Sequence, residues 1–230
     1  STDLVVIWGG GNDFLYGLGD ANTTHANTVS HVEEVIQAGA HNILVPNLPP
    51  LELTPEVRNR SSSQQQQIGA SISSYNSALA TSMPALASTH GVNIILADTH
   101  TLFYQFMYNS TYLGLTNLVD MACQSSGSIL PLPICNAGDP VVSNVNEYVF
   151  FDKAHPTAPI HQLFSIQAML SIGEEDTDDD GVADDIDTCP WTDAGRITNE
   201  TGCSIEQQDD DGDGVQNSLD DCPQTPTGAT

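Results

Sequence analysis

The stretch DLVVIWGGGND, residues 3–13, decides the fold of this chain. Residues 3–8 (DLVVIW) form a continuous apolar run rich in β-branched side chains, which predicts a strand buried within a parallel sheet. Three glycines follow at the carboxyl end of that strand. In open α/β sheets the ligand crevice lies beyond the carboxyl ends of the strands, so Asn12 and Asp13 stand where we expect chemistry.

Working outward, apolar strands alternate with helical patterns up to about residue 173. Two further buried strands are predicted at residues 42–46 and 92–97, and helices at residues 28–38, 61–88, 101–108 and 159–172. This alternation predicts a three-layer, doubly wound α/β domain over residues 1–173. Residues 109–148 have no regular pattern, and Cys123 and Cys135 are expected to close a loop there.

The charge of the chain is concentrated at its C-terminal end. The 230 residues include 30 acidic and 4 basic side chains, and residues 174–230 hold 18 of those acids against the single base Arg196. Nucleic acids and anionic membranes are recognised through Lys and Arg, so we expect neither as a partner and expect divalent cations instead. No apolar run is long enough to span a bilayer. The first residues do not resemble a signal peptide, which indicates a mature or truncated start.

The five cysteines fall into two near pairs and one remainder. Cys123 lies near Cys135, Cys189 lies near Cys203, and Cys222 is left over. None of these spacings resembles a zinc site or a redox Cys-x-x-Cys motif, so we interpret them as disulfides of an oxidising compartment. Cys222 is expected to pair beyond Thr230.

A second stretch, FDKAHPT at residues 151–157, places a carboxylate three residues before a histidine. Asp152 can accept a hydrogen bond from one ring nitrogen of His155, which leaves the other nitrogen free to take a proton from a nucleophile. The alternative interpretation is a surface loop in which Asp and His occur by chance.

Together, the residues 10–13 (GGND) and 152–157 (DKAHPT) resemble the third and fifth sequence blocks of the SGNH/GDSL hydrolases. Residues 40–49, 104–117 and 148–161 look like the bacterial secreted esterase, phospholipase and thermolabile-haemolysin branch. The resemblance implies a flavodoxin-like α/β fold that hydrolyses an ester or lipid substrate. It also implies that His155 is the general base, that Asp152 orients it, and that Asn12 donates its amide to the oxyanion.

The chain departs from the family pattern in one respect. The first block, which carries the nucleophilic serine, and the second, which carries an oxyanion glycine, are absent from residues 1–230. We expect a preceding segment or a companion chain to supply the serine, and this chain alone to be inactive. The alternative is a non-catalytic extracellular adhesin or filament subunit, with self-assembly possible. The substrate stays open among short-chain esters, phospholipids and polysaccharide acetyl groups.

The acidic segment contains two repeats with the spacing of a calcium loop. Carboxylates or an amide recur at relative positions one, three, five, nine and twelve, with glycine at six and a backbone carbonyl available at seven. The predicted ligands are Asp176, Asp178, Asp180, Val182, Asp184 and Asp187 in the first repeat, and Asp209, Asp211, Asp213, Val215, Asn217 and Asp220 in the second. The alternative is a solvated, disordered acidic linker.

The Cys-Pro that follows each repeat resembles thrombospondin type 3 repeats. That resemblance implies calcium as a cofactor, a disulfide between Cys189 and Cys203, and an irregular, calcium-stiffened stalk over residues 174–230. Taken together, these features predict a secreted or cell-surface protein, of bacterial origin by its resemblances.

Overall fold

The computed structural model describes residues 3–111, 113–124 and 135–173, and in the C-terminal part residues 176–178, 180–184, 186–193, 196, 198–199, 201–204, 206–209 and 215–216. The chain forms two compact units, Ser1–Thr157 and Ala158–Thr230. The last of the described helices, Ala158–Ile172, belongs to the second unit.

Five strands and six helices occur in the described residues. In chain order they are β1 (Leu4–Val6), α1 (Gly11–Tyr16), α2 (Ala21–Gln37), β2 (Asn42–Pro46), α3 (Pro55–Arg58), α4 (Ser62–His90), β3 (Asn93–Ala97), α5 (Thr99–Tyr108), β4 (Asn117–Met121), β5 (Tyr148–Phe150) and α6 (Ala158–Ile172), with single 3₁₀ turns at Leu51–Leu53 and Val145–Glu147.

The first three strands form one parallel sheet in the order β1-β2-β3. Leu44 in the middle of β2 pairs with Val6 on one side and with Ile95 on the other. Strands β4 and β5 form a separate parallel pair. Helices connect β1 to β2 and β2 to β3, as is usual between parallel strands. The predicted α/β fold with a parallel sheet is therefore confirmed.

Strand β1 corrects one prediction. It lies at the edge of its sheet in the described part of the chain, and Leu4 and Val6 are 39% and 55% exposed. The expectation of a buried strand is therefore wrong for β1, although the direction of pairing is right. An apolar, β-branched run indicates a strand covered on both faces of its sheet, but within the described residues the face that carries Leu4 and Val6 stays exposed.

Residues 109–148 also differ from the prediction, because they include strand β4 and not only irregular chain. The pattern of β4 is weak, since Val119 and Asp120 are both exposed. The strand depends on its parallel partner β5, with Asn117 paired to Tyr148 and Met121 to Phe150. The predicted loop closure nearby is confirmed by a disulfide between Cys123 and Cys135.

The two long helices begin with side-chain caps. Asp20 accepts a hydrogen bond from the Thr23 backbone N–H at 2.8 Å at the start of α2. Ser61 and Gln64 form a reciprocal capping box at the start of α4. Such caps satisfy backbone donors that the first turn leaves unpaired, and each stabilises its helix by about 1 kcal/mol.

Helices α2 and α4 cover the parallel sheet and form the centre of the core. Val32, Ile72 and Leu79 are completely buried there. Thr28 and Tyr75 bury a polar pair between the helices, with 2.9 Å between their hydroxyl oxygens. None of the helices in the described residues is both long and apolar enough to cross a membrane.

Candidate active site and candidate metal centre

Asp152 and His155 form a close pair at the end of β5. The His155 Nδ1 atom lies 2.8 Å from Asp152 Oδ2 and 3.0 Å from Oδ1. The Asp152 carboxylate is buried, whereas the side chain of His155 is 60% exposed. The carboxylate therefore contacts Nδ1, and Nε2 is the ring nitrogen that the carboxylate does not contact.

Backbone hydrogen bonds fix the shape of this loop. Asp152 Oδ1 accepts from the backbone N–H groups of Ala154 at 2.9 Å and of His155 at 2.8 Å. The Phe151 N–H donates to the His155 carbonyl at 2.9 Å, and the Glu56 N–H donates to the Lys153 carbonyl at 2.8 Å. A carboxylate that accepts two backbone donors has few alternative orientations, so Asp152 holds the imidazole in one position.

Asn12 lies in the first turn of α1, directly after the glycines that follow β1, and it is exposed. The helix that carries it lies close to the Asp152 loop. Burial raises the pKa of Tyr16 in the last turn of α1, and the negative charges of Glu56 and Asp152 raise it further. Asp152 therefore lies near enough to Tyr16 to influence it electrostatically.

Side chains of α2 and α4 hold α1 in place. The Thr24 hydroxyl donates to Asp13 Oδ2 at 3.0 Å, and Tyr75 packs edge-on against Phe14 with 5.8 Å between ring centroids. Burial raises the pKa of the Tyr75 hydroxyl, so it stays neutral and bonded to Thr28. Asp13 therefore anchors the helix, a role that its position in the sequence does not reveal.

Gly10 provides the turn between β1 and α1. Its φ of 93° lies in the region that favours glycine, and a Cβ atom placed on it would lie 2.7 Å from Thr24 Cγ2. Gly17, at the other end of α1, has a φ of 66° but no atom within 4 Å of such a Cβ. A side chain at Gly10 would therefore cause both a steric clash and backbone strain, whereas a side chain at Gly17 would cause backbone strain alone.

We expect Gly10→Ala to lower the free energy of unfolding by about 2–4 kcal/mol, because it adds a steric clash to the strain of a positive φ. Gly17→Ala is the control and should cost only about 1 kcal/mol. Urea unfolding followed by circular dichroism measures both values. Equal losses for the two variants would show that Thr24 does not restrict the turn.

The carboxyl ends of the three parallel strands are linked through Asn47, which sequence reasoning did not single out as a site residue. The Trp8 indole donates to the Asn47 carbonyl at 3.1 Å, and the Asn47 amide donates to Asp98 Oδ1 at 2.8 Å. Burial works against the charged form of Asp98, but hydrogen bonds from Thr101 and Asn47 outweigh it and lower its pKa. The position of Asn47 directly after β2 was the available signal.

The first acidic repeat gathers three of its predicted ligands. One carboxylate oxygen from each of Asp176, Asp178 and Asp180 lies within 4.8 Å of the others. Asp180 is completely buried, and its Oδ2 atom has no hydrogen-bond partner among the described residues; the same holds for Asp178 Oδ1. Buried carboxylate oxygens without donors are costly unless a cation binds them. These residues therefore fit calcium, which takes hard oxygen ligands.

The electrostatics of Asp180 support this fit. Burial is the largest cause that raises its pKa, and the charges of Asp178, Asp187 and Asp176 add to it, to about 6. A hydrogen bond from the Val182 N–H to Asp180 Oδ1 works in the opposite direction. A divalent cation among these carboxylates would remove the repulsion that raises the pKa.

The remaining predicted ligands lie in different surroundings. Asp184 is outside the cluster, and its two oxygens accept from the Thr177 backbone N–H at 2.7 Å and hydroxyl at 2.6 Å. Asp187 Oδ1 accepts from the Cys189 N–H at 2.7 Å. In the second repeat Asp209 and Val215 are exposed. The predicted ligands Asp211, Asp213, Asn217 and Asp220 lie outside the described residues, as does Cys222.

A disulfide joins Cys189 to Cys203, which confirms the predicted pairing. The loop that it closes lies next to the acidic cluster. The Thr192 N–H donates to Asp178 Oδ2 at 2.6 Å, and the Thr192 hydroxyl donates to the Gly202 carbonyl at 2.7 Å. The disulfide therefore helps to hold Thr192 and Gly202 in place beside the acidic cluster.

A parallel sheet with helical connections and an Asp–His pair after its strands is typical of α/β hydrolytic enzymes as a class. Comparison with known proteins gives the family. Residues 1–166 match the family of GDSL-like lipases and acylhydrolases, and residues 172–193 and 202–229 match the thrombospondin type 3 repeat. The chain belongs to the GDSL-like lipase/acylhydrolase family, so it is related to ester hydrolases, and it carries thrombospondin type 3 repeats.

Two relatives illustrate the match. A GDSL esterase/lipase of Arabidopsis thaliana is 26% identical over 174 residues, which cover 67% of this chain and 48% of the relative. The secreted effector protein SseJ of Salmonella typhimurium is 26% identical over 162 residues, which cover 66% of this chain and 38% of the relative. The chain spans half or less of the length of these two relatives. Both resemblances predicted from sequence motifs are confirmed.

Proposed function

We propose that this chain is part of a secreted serine ester hydrolase in which His155 is the general base. The observation that carries the proposal is the contact between the buried Asp152 carboxylate and His155 Nδ1. That contact places the ring proton on Nδ1 and leaves the lone pair on Nε2 to accept a proton. Membership of a family of ester hydrolases supplies the reaction class.

In the proposed reaction, Nε2 of His155 takes the hydroxyl proton as the serine oxygen bonds to the ester carbonyl carbon. The same proton then passes to the leaving alkoxide as the ester bond breaks. Water repeats the sequence and releases the acid. Asp152 orients the ring and stabilises the imidazolium through its contact with Nδ1. Asn12 donates its side-chain amide to the carbonyl oxygen as negative charge develops, which is worth about 3 kcal/mol of barrier.

We further propose that the serine lies on a segment outside residues 1–230. The exposed apolar edge of β1 supports this part of the proposal. Among the described strands β1 has only β2 as a neighbour, and its side chains Leu4 and Val6 are 39% and 55% exposed. The unpaired edge of an apolar strand is usually covered by another strand or by a loop or helix. A companion chain could supply that strand equally well.

For the C-terminal unit we propose calcium as a structural cofactor. Asp176, Asp178, Asp180 and Asp187, with the carbonyl of Val182, would hold the ion in the first repeat. Asp184 stays a predicted ligand, since the residue at position nine often coordinates through water. The ion would supply positive charge that offsets the repulsion among the carboxylates. The second repeat is proposed to bind a second ion on its sequence pattern alone.

An extracellular, oxidising location is proposed from the two disulfides, Cys123–Cys135 and Cys189–Cys203. The name of the Salmonella relative describes that protein as secreted, which is consistent with this location. A bacterial source stays a prediction, since similar relatives come from Arabidopsis as well.

The direct test is turnover of p-nitrophenyl esters by a protein that includes residues 1–230 and the preceding segment. We expect hydrolysis with at least one of the acetyl, butyryl and dodecanoyl esters, because the mechanism depends on the carbonyl and not on the acyl chain. Turnover of none of the three by a folded, calcium-loaded protein would favour the adhesin or filament alternative.

Calcium binding to the first repeat should weaken as the pH falls. The pKa of Asp180 is raised to about 6 in the folded protein, so protons compete with calcium below that pH. One such group predicts an affinity about tenfold lower at pH 5 than at pH 7.5. Without calcium the sign is opposite: the raised pKa contributes stability below about pH 4 that is lost as the pH rises through 6. Titration calorimetry at both pH values measures the change, and equal affinities would contradict it.

A further inference from the structure

We propose that calcium in the first repeat and helix α6 form one coupled element, and that Gln162 is the positioning residue that joins them. The inference rests on the calcium part of the proposed function and goes beyond it. Neither resemblance assigns a role to Gln162, and the interpretation of the repeats as a separate stalk predicts no such contact.

Gln162 lies in the second turn of α6, and its side chain contacts the loop of the first repeat. Its side-chain amide donates to the backbone carbonyl of Asp180 and to the Thr198 hydroxyl, the latter at 3.2 Å. Thr198 in turn donates to the same Asp180 carbonyl at 3.3 Å. One amide donation of Gln162 thus goes to the loop that carries the buried carboxylate, and the other goes to Thr198 in the loop closed by the Cys189–Cys203 disulfide.

Gly181 makes the close approach possible. Its φ of 97° favours glycine, and a Cβ atom on it would lie 3.2 Å from Gln162 Cγ, 3.3 Å from Ser165 Oγ and 3.4 Å from Ile166 Cγ1. Those three residues lie at positions i, i+3 and i+4 of α6 and therefore share one face of the helix. The backbone turn of the calcium loop rests directly on that face.

The other side of the acidic cluster is held by the disulfide-closed loop. Gly202, next to Cys203, is buried with the Asp187 carboxylate directly against it, and a Cβ atom there would lie 3.1 Å from Asp180 Oδ2. The cluster therefore lies between α6 and the Cys189–Cys203 loop. A cation that draws Asp178 and Asp180 together would fix the loop against both neighbours.

This arrangement makes the coupling reciprocal. If calcium stabilises the contact between the loop and α6, the contact must raise calcium affinity by the same factor. Removing the Gln162 amide deletes two hydrogen bonds and leaves the Asp180 carbonyl with one fewer donor. We expect calcium affinity to fall about 5- to 20-fold, the range for one or two net hydrogen bonds.

The experiment compares Gln162→Ala with Gln167→Ala in the chain of residues 1–230. Gln167 is the matched control, since it lies on the same helix, is also half-buried, and donates locally to Ser171 at 3.3 Å. Calorimetry measures calcium affinity, and hydrogen exchange of peptides covering residues 158–172 measures the order of α6. We expect calcium to slow exchange in α6 of the wild type and of Gln167→Ala, and Gln162→Ala to lose both affinity and this protection.

The results distinguish failure of the proposed coupling from failure of the proposed calcium site. If the wild type binds calcium but α6 exchanges equally in calcium and in chelator, the coupling is wrong while the proposed calcium site stands. If the wild type binds no calcium, both fail. If Gln162→Ala does not fold, the wild type is compared with Asp178→Asn, which removes a ligand and should abolish the calcium-dependent protection of α6. Equal losses in the Gln162 and Gln167 variants would also overturn the role of Gln162.

Discussion

Replacement of His155 by alanine is expected to lower kcat for ester hydrolysis about 10⁴- to 10⁶-fold in the protein that includes the nucleophile, with little change in fold. The physical reason is that Nε2 of this ring is the only proposed acceptor for the serine proton. The ring is 60% exposed, so truncation removes few packing contacts. Steady-state kinetics with a p-nitrophenyl ester measures the loss.

A second histidine provides a matched control. His31 in α2 lies 3.6 Å from Glu34, three residues further on, and is also exposed. It has the same i,i+3 pairing with a carboxylate as His155, without any link to the Asp152 loop. We expect His31→Ala to leave kcat within twofold of the wild type, an ordinary result for an exposed substitution. Comparable losses in the two variants would contradict the assignment of His155.

Asp152→Asn should have a smaller effect, about 10²- to 10⁴-fold in kcat, since the serine and the ring remain. The asparagine can still accept from the Ala154 and His155 backbone N–H groups, so the loop keeps its shape. What changes is the stabilisation of the imidazolium and the choice of ring tautomer. Circular dichroism distinguishes this effect from a structural one, because the variant should keep the wild-type spectrum while kcat falls.

Calcium removal is the second large effect we expect. Chelation should make residues 174–230 rapidly cleavable by protease, because the 18 acidic residues of that segment then repel one another without a counter-ion. Calcium at a thousand times its dissociation constant would stabilise the folded unit by about 4 kcal/mol per site. Limited proteolysis followed by mass spectrometry locates the cuts. Equal cleavage rates in calcium and in chelator would refute the proposed cofactor.

Two substitutions separate the specific site from general acidity. Asp178→Asn removes a carboxylate of the cluster, and we expect it to leave the segment protease-sensitive even in calcium. Asp193→Asn removes the same charge from an exposed residue of the same segment, which lies 4.0 Å from Arg196. Exposed pairs contribute little, so this variant should behave like the wild type. Equal sensitivity of both variants in calcium would indicate a simple charge effect.

The parts of the fold that were predictable from sequence are those in which local pattern and tertiary environment agree. Strand β2 is apolar and buried from Ile43 to Pro46, and its boundaries were predicted residue for residue. Helix α4 extends its predicted range by two residues at the C-terminal end, where Gly91 terminates it. Long periodic segments of this kind carry their own signal.

The elements that the sequence pattern did not predict depend on contacts with residues that are distant in the chain. Helix α1 has only six residues and starts after Gly10, whose positive φ is set by packing against Thr24 and Tyr75. Strand β4 contains Asn117 and Asp120 and exists through its pairing with β5. Neither could be inferred from periodicity, because neither element buries a regular face of its own.

The candidate site shows the same division. The pairing of Asp152 with His155 follows from three residues of spacing and was predictable. Thr177 donates hydrogen bonds to Asp184, and Gln162 donates hydrogen bonds to the calcium loop and its neighbour Thr198. These contacts depend on side-chain geometry that the spacing of the repeat does not encode. Spacing identifies which residues can bind an ion, and the surrounding contacts decide which of them are free to do so.

The central claim is that His155 activates a serine in the assembled protein. A fluorophosphonate probe tests it most directly, because the probe bonds covalently only to an activated nucleophile. We predict one equivalent of label on a single serine of the wild type, located by peptide mass spectrometry outside residues 1–230, and a rate at least 10³-fold lower in His155→Ala, the scale of lost general-base catalysis. No label on the wild type, or equal labelling of the two proteins, would contradict the account.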